Sequence, residues 1–83
     1  MKFLRMRPGF GEQLIAEGDI EVADEEQALI EEFRRQLDQG MWAAVPITSV
    51  GGRREAQLVR AFEDIPRDTG RVIFFPRAAG GAE

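Results

Sequence analysis

The chain has 83 residues, with 43% hydrophobic and 31% charged side chains, a size and balance that indicate one small globular domain. It contains no cysteine and no histidine, which excludes disulfides, thiol nucleophiles, serine-histidine catalysis and the usual zinc ligand sets. We therefore expect no enzymatic activity of the chain by itself, and no cofactor-binding or metal-binding motif is found in its sequence.

The formal net charge of −4 is distributed unevenly along the chain. Residues 1–40 carry 5 basic and 10 acidic groups, whereas residues 41–83 carry 6 basic and 5 acidic groups. The arginines between positions 53 and 60 are too sparse to favour nucleic acid as a partner. The apolar runs are much shorter than the roughly 20 residues of a membrane span, and the first residues lack a signal-peptide pattern. We expect a cytoplasmic protein without a membrane partner.

The first predicted element is a β-hairpin. Its arms are "MKFLRMR" and "EQLIA", and the proline and glycines of "PGFG" favour a turn between them. The segment "DIEV" then leads the chain into a helix.

The ends of this helix are marked in "ADEEQALIEEFRRQLDQG". Asp24 is the predicted N-cap, with Gln27 three residues later and glutamates in the first turn. Gly40 is placed to end the helix.

The two faces of the helix differ in character. Leu29, Phe33 and Leu37 recur every four residues and predict one apolar face. On the other face, Glu31 and Arg35 are spaced to form an ion pair. The charged face is most simply a solvated surface, with partner binding as the alternative.

The rest of the chain is predicted to form strands. In "MWAAVPITS", Pro46 indicates an edge position or a bulge. In "AQLVRAF", alternation places Leu58 and Phe62 on one side and Val59 on the other. The connector "EDIPRDTG" is expected to lack regular structure, and "RVIFFP", apolar on both faces, predicts a central strand.

These elements predict an α+β fold, a β-grasp-like roll with one helix packed on a mixed sheet of about five strands. Residues 1–77 would form the single domain and residues 78–83 a flexible tail. We expect the apolar side chains of the helix to pack against those of the last strand, either Val72 and Phe74 or Ile73 and Phe75.

The order of the elements and the segment "RVIFFPRAAGG" resemble the β-grasp family of ubiquitin-like proteins, especially the bacterial sulfur carriers such as the small subunit of molybdopterin synthase. In those carriers the last strand runs through aromatic residues and a proline into a terminal Gly-Gly. The matching residues are Phe74, Phe75, Pro76, Gly80 and Gly81. Arg77 stands where the carriers often have a second proline, and Ala82 and Glu83 resemble the extension of a processed precursor.

The resemblance implies that an ATP-dependent adenylating enzyme activates Gly81 after a protease has removed the last two residues. The activated carboxylate would then be converted to a thiocarboxylate or would form an amide with a target lysine. Gly80 and Gly81 would form the activation and conjugation tail, since glycine adds no side-chain bulk. The residues expected to present this tail are Pro76, Arg77, Ala78 and Ala79, and those expected to contribute a partner surface are Phe75 and Arg60.

A second interpretation is a non-catalytic interaction or assembly module, such as an accessory protein of a prophage or of a larger complex. It would use a sheet edge or the acidic helix face, and the terminal Gly-Gly would be a frayed end. Loss of residues 78–83 would then leave binding intact, whereas charge reversal at Glu25, Glu26 or Glu32 would weaken it. The sequence does not distinguish sulfur transfer, conjugation and plain interaction, and it indicates no oligomeric state.

Overall fold

The computed structural model describes residues 1–48 and 51–77, and these form five β-strands, one α-helix and one turn of 3₁₀ helix. The strands are β1 Lys2–Arg7, β2 Gly11–Glu17, β3 Met41–Thr48, β4 Arg54–Val59 and β5 Arg71–Pro76. The helix α1 spans Ala23–Asp38, and the 3₁₀ helix spans Phe62–Asp64 in the connection between β4 and β5.

The strands form one mixed sheet in the order β2-β1-β5-β3-β4. β1 and β5 are parallel, and the other neighbouring pairs are antiparallel. The last strand of the chain is therefore central, as its apolar residues on both faces predict. One helix packed on this sheet confirms the predicted α+β class and the β-grasp-like roll.

The β1–β2 hairpin forms where the sequence predicts it. Gly9 and Gly11 flank Phe10 with φ angles of +81° and +75°, a region that residues with a Cβ rarely occupy. The Phe10 N–H donates to the Arg7 carbonyl over 2.8 Å, which closes the turn.

The start of α1 corrects one prediction, because the helix begins at Ala23 and Asp24 is not its N-cap. Val22 holds the N-cap position in an extended conformation without a side-chain hydrogen bond. Asp24 lies inside the first turn, where a negative charge is favourable near the helix N-terminus. Another acidic residue of the first turn binds the loop before the helix: the Glu25 carboxylate accepts a 2.7 Å hydrogen bond from the Asp19 N–H.

The end of α1 agrees with the prediction. Gly40 has a φ angle of +86°, and its N–H donates to the Leu37 carbonyl over 3.0 Å. This left-handed residue after the last helical turn is the usual glycine stop of an α-helix.

The predicted Glu31–Arg35 ion pair does not form. Arg35 pairs with Glu32, while Glu31 accepts a hydrogen bond from the Gln27 amide over 3.2 Å. Residues three and four apart are both neighbours on a helix surface, so spacing alone does not choose between Glu31 and Glu32. Glu32 also accepts a 2.7 Å hydrogen bond from the buried Gln36, which places its carboxylate within reach of Arg35.

Aromatic side chains fix the helix on the sheet. The Phe33 ring of α1 lies 5.7 Å from Phe74 of β5, and the Phe74 ring lies 5.1 Å from Phe3 of β1, both edge-on. Leu29 is also fully buried in this core, whereas Leu37 lies at its margin. Of the two sides of the last strand that the sequence left open, the helix packs against the one with Val72 and Phe74.

β4 ends at Val59, so the predicted continuation of this strand to Phe62 is wrong. Side chains alternate between two faces only while the backbone is extended. The 3₁₀ turn breaks the alternation and directs Phe62 to the core, where its ring lies 6.0 Å from that of Phe33. Leu58 lies on the other face and is half exposed, so the two side chains do not share a face. The connector predicted to be irregular therefore contains one helical turn.

Pro46 lies in β3 opposite Ala56 of β4. The pairing of β3 with β5 covers Met41 to Ala44. Among the described residues, β4 is thus the only paired neighbour of β3 at Pro46, so this part of β3 is an edge of the sheet. An edge position tolerates a proline, which has no N–H to donate.

Arg67 joins the connector before β5 to the start of α1. Its guanidinium lies 3.2 Å from the Glu26 carboxylate and 3.5 Å from that of Glu21, and it donates to the Ile20 carbonyl over 3.3 Å. The hydrogen bond to Glu26 raises the pKa of Arg67 above its ordinary value, so the guanidinium of Arg67 stays cationic.

Candidate functional site

β5 leads directly to the predicted tail. Pro76 is its last residue and pairs with Met41 of β3, so the strand ends at the proline as predicted. Arg77 follows and is exposed. The other tail positions lie outside the residues that the structure describes: Ala78, Ala79, Gly80, Gly81, Ala82 and Glu83.

The sheet face opposite α1, which we call the open face, carries a row of apolar side chains across all the described strands. The register of the sheet aligns, in order from β2 to β4, Leu14, Leu4, Ile73, Ala44 and Leu58. Leu14 and Leu58, at the two ends of the row, are 50% and 49% exposed. Ala44 within the row is buried, so the exposed apolar surface lies mainly at the two ends, and exposed apolar groups of this kind suit contact with another macromolecule.

Two aromatic residues extend the open face toward the end of β5. Phe75 pairs in register with Trp42 of β3, and the two rings lie 6.1 Å apart at 66°. Trp42 is 41% exposed, whereas Phe75 is partly covered. Phe75, a predicted partner-surface residue, therefore lies on the open face and supports an exposed indole.

A cavity of about 340 Å³ lies where β3 begins and β4 ends. Trp42 and Leu58 line it together with two arginines, Arg60 and Arg77. The structure thus brings together the predicted partner residue Arg60, the predicted tail residue Arg77 and the indole that contacts Phe75.

The open face and the cavity combine apolar side chains with arginines. In residues 1–48 and 51–77, no group of three or more histidine, cysteine or acidic side chains could hold a metal ion. Apolar side chains beside guanidinium groups, in contrast, are the combination enriched in protein interfaces. The same described ranges contain no helix with the length and apolar character needed to cross a bilayer.

Sequence reasoning missed most of the open face. Leu4 and Leu14 face each other within the hairpin, but they share a row with Leu58 only through the strand order, which local patterns do not reveal. The sequence did contain a signal for an apolar second face of the sheet. β5 has Ile73 and Phe75 on the face opposite Val72 and Phe74, and other strands also carry apolar residues at successive positions. A strand that is apolar on both faces indicates that both faces make contacts.

Comparison with known proteins gave no match, since no protein-family model, no curated protein and no solved structure is significantly similar to this chain.

Proposed function

We propose that this chain is a ubiquitin-like or sulfur-carrier-like protein activated at the carboxylate of Gly81. The observation that supports this most is the strand order β2-β1-β5-β3-β4, in which the last strand is central and the sequence Gly80-Gly81 follows shortly after its end. Pro76 has no N–H with which to continue the pairing of β5, so the strand stops before that segment.

The reaction sequence begins outside the chain's own chemistry. A protease hydrolyses the peptide bond between Gly81 and Ala82, which releases the last two residues as a dipeptide and frees the Gly81 carboxylate. A carboxylate oxygen then attacks the α-phosphorus of ATP, the bond to pyrophosphate breaks, and an acyl-adenylate forms. A sulfide nucleophile displaces AMP and leaves a thiocarboxylate, whereas a lysine amine displaces AMP, loses a proton and leaves an amide.

In this scheme the chain supplies a carboxylate and a recognition surface, and the adenylating partner supplies the catalytic groups. The absence of cysteine and histidine from the sequence is consistent with that division. Glycine at positions 80 and 81 adds no side chain and fits a narrow channel toward ATP. Ala78 and Ala79 add only methyl groups, while Arg60, Phe75 and Arg77 lie near the end of β5.

The experiment compares two tail variants in the native cells. Gly81→Trp places a bulky side chain at the activated residue, so adducts detected with an antibody against the folded body should disappear. Glu83→Gln changes a residue that is removed before activation and should leave the adducts unchanged. If the Gly81→Trp protein keeps its fold, as measured by circular dichroism, and still forms adducts, the proposal is contradicted.

A second candidate function is a non-catalytic interaction module, which the open face favours. Its row of apolar side chains suits protein contact without any chemistry at the tail. The acidic helix face is less suited, because the glutamates predicted to bind there are engaged within the chain. Glu25 accepts the Asp19 N–H, Glu26 pairs with Arg67, and Glu32 pairs with Arg35.

The module function predicts that removal of residues 78–83 leaves complex formation unchanged. Leu58→Asp would weaken the complex by placing a charge on the open face, whereas Ala28→Asp, on the exposed side of α1, would not. If the truncated chain instead loses its partners while the Leu58→Asp protein keeps them, the tail carries the function.

A further inference from the structure

Two cavities lie on either side of the end of β5, and they concentrate positive charge. The first is lined by Arg60 and Arg77; the second, of about 650 Å³, is lined by Arg5 and Arg7 and shares Met41 with the first. We call the two cavities and these four arginines the basic collar. Among the described residues, no carboxylate lines either cavity, although the whole chain has a net charge of −4. The charge that lines these two cavities is therefore opposite in sign to that of the protein, while Arg60 also borders a third cavity that is lined by Asp38 and Glu63.

The four arginines are not neutralised within the described part of the chain. Arg60 and Arg77 are exposed and form no ion pair within residues 1–48 and 51–77. The other two donate to glutamine side chains: Arg5 to Gln36 over 3.2 Å and Gln39 over 2.8 Å, and Arg7 to Gln13 over 2.9 Å. A neutral amide orients a guanidinium but leaves its charge, so the basic collar presents four positive charges.

The basic collar is also apolar between its charges. Trp42 and Leu58 line the first cavity, and Met6, Pro8 and Ile15 line the second. Trp42 and Met6 are 41% and 39% exposed, so these side chains are accessible to a partner. A complementary surface therefore needs apolar groups as well as negative charge.

We infer that the basic collar binds a protein partner whose surface arranges carboxylates around an apolar centre. The inference rests on the proposed function, because Arg77 belongs to the collar and is also the first residue after β5. A protein seated on the collar contacts Arg77, the residue that precedes the tail in the sequence, and in the proposed function this protein is the adenylating partner. Carboxylates at the rim pair with the guanidiniums, and apolar side chains enter beside Trp42.

Two other occupants fit the charges and the lining less well. A second copy of the chain docked through the same surface would place two sets of four arginines against each other. Nucleic acid binds mainly through its phosphates and is repelled by a net negative protein, and it would leave the apolar lining of both cavities unmatched. A protein with an acidic rim satisfies both properties of the collar.

The experiment titrates the full-length, ¹⁵N-labelled chain with a synthetic peptide in which glutamate alternates with leucine and phenylalanine. Saturable shifts are expected at the Trp42 indole N–H and at the side chains of Arg60 and Arg77. The double variant Arg60→Glu and Arg77→Glu should weaken binding by at least about tenfold, since each close charge pair at an interface contributes measurably. Arg5 stays unchanged, because it holds Gln36 and Gln39.

The matched control is the double variant Arg54→Glu and Arg71→Glu, which makes the same charge change at exposed residues outside both cavities. It should weaken binding by less than about twofold, since exposed charges beyond a Debye length are screened at physiological salt. Equal losses in the two double variants would indicate unspecific attraction and overturn the inference. The absence of saturable shifts up to about 1 mM peptide would overturn it as well.

Two competition measurements address the other occupants. A DNA oligonucleotide that displaces the peptide at lower concentration would overturn the inference in favour of nucleic acid. Dimerisation that is lost in the Arg60→Glu and Arg77→Glu protein would overturn it in favour of a second copy. The titration does not involve Gly81, so failed peptide binding with persistent adducts contradicts the docking inference alone. Peptide binding without any thiocarboxylate or conjugate at Gly81 supports the collar and contradicts the carrier function.

Discussion

Phe33 is the residue on which the attachment of helix to sheet depends most. It is 2% exposed, and its ring lies 5.7 Å from Phe74, 6.0 Å from Phe62 and 6.4 Å from Phe3. Tilted and edge-on aromatic pairs at these distances add to the free energy gained by burial. In a domain of this size, few other side chains can replace such a contact.

We expect Phe33→Ala to lower the free energy of unfolding by about 3–5 kcal/mol, through lost burial and the cavity that remains. Urea denaturation monitored by Trp42 fluorescence measures the change. Phe10→Ala is the matched control, because Phe10 at the hairpin tip is 83% exposed and should change stability by no more than about 0.5 kcal/mol. Similar losses in the two variants would contradict this description of the core.

At the scale of the elements, the end of α1 depends on the backbone conformation of one residue. Gly40 has a φ angle of +86°, and a Cβ built there would meet nothing within 4 Å. Any effect of alanine at this position therefore comes from the backbone and not from a clash.

Gly40→Ala should lower the free energy of unfolding by about 1–2 kcal/mol, the usual penalty for an L-residue in a left-handed conformation. Gly70→Ala is the control, since a Cβ there also meets nothing within 4 Å but the φ angle is not positive. Thermal unfolding of both variants gives the comparison. If Gly40→Ala is as stable as Gly70→Ala, the helix does not depend on this stop.

The elements with strong local signals were predictable from the sequence. The glycines of "PGFG" predicted the hairpin turn and Gly40 predicted the helix end, and Gly9, Gly11 and Gly40 have positive φ angles in the structure. The apolar residues on both faces of "RVIFFP" predicted the central strand. The start of α1 was predicted wrongly at Asp24, because a side chain that can cap a helix can equally lie in its first turn. Phe62 was placed on the wrong face, because a single 3₁₀ turn ends the alternation of a strand.

At the scale of the whole molecule, the surface properties follow from the strand order. The row from Leu14 to Leu58 exists only because β5 lies between β1 and β3. The basic collar likewise combines Arg5 and Arg7 with Arg60 and Arg77, which are far apart in the sequence. Local patterns could not predict either surface, and only the resemblance to the carriers indicated Arg60 and Phe75.

The fold also determines where the charged residues of the two halves of the chain lie. The acidic residues of the first half lie largely on α1, and the glutamates at its start pair with Arg67 or with the preceding loop. Two arginines of the second half, Arg60 and Arg77, lie near the end of β5, as do Arg5 and Arg7 of the hairpin. The molecule therefore presents an acidic helix on one side and a basic, apolar surface where the tail begins.

The intact mass of the protein purified from its native cells tests the proposed function most directly. The carrier function predicts a chain that ends at Gly81, present as the free acid, with one oxygen replaced by sulfur, or joined to a second protein. A chain that retains Ala82 and Glu83 and carries no modification, in cells that express the protein at its natural level, would contradict the function and favour the interaction module.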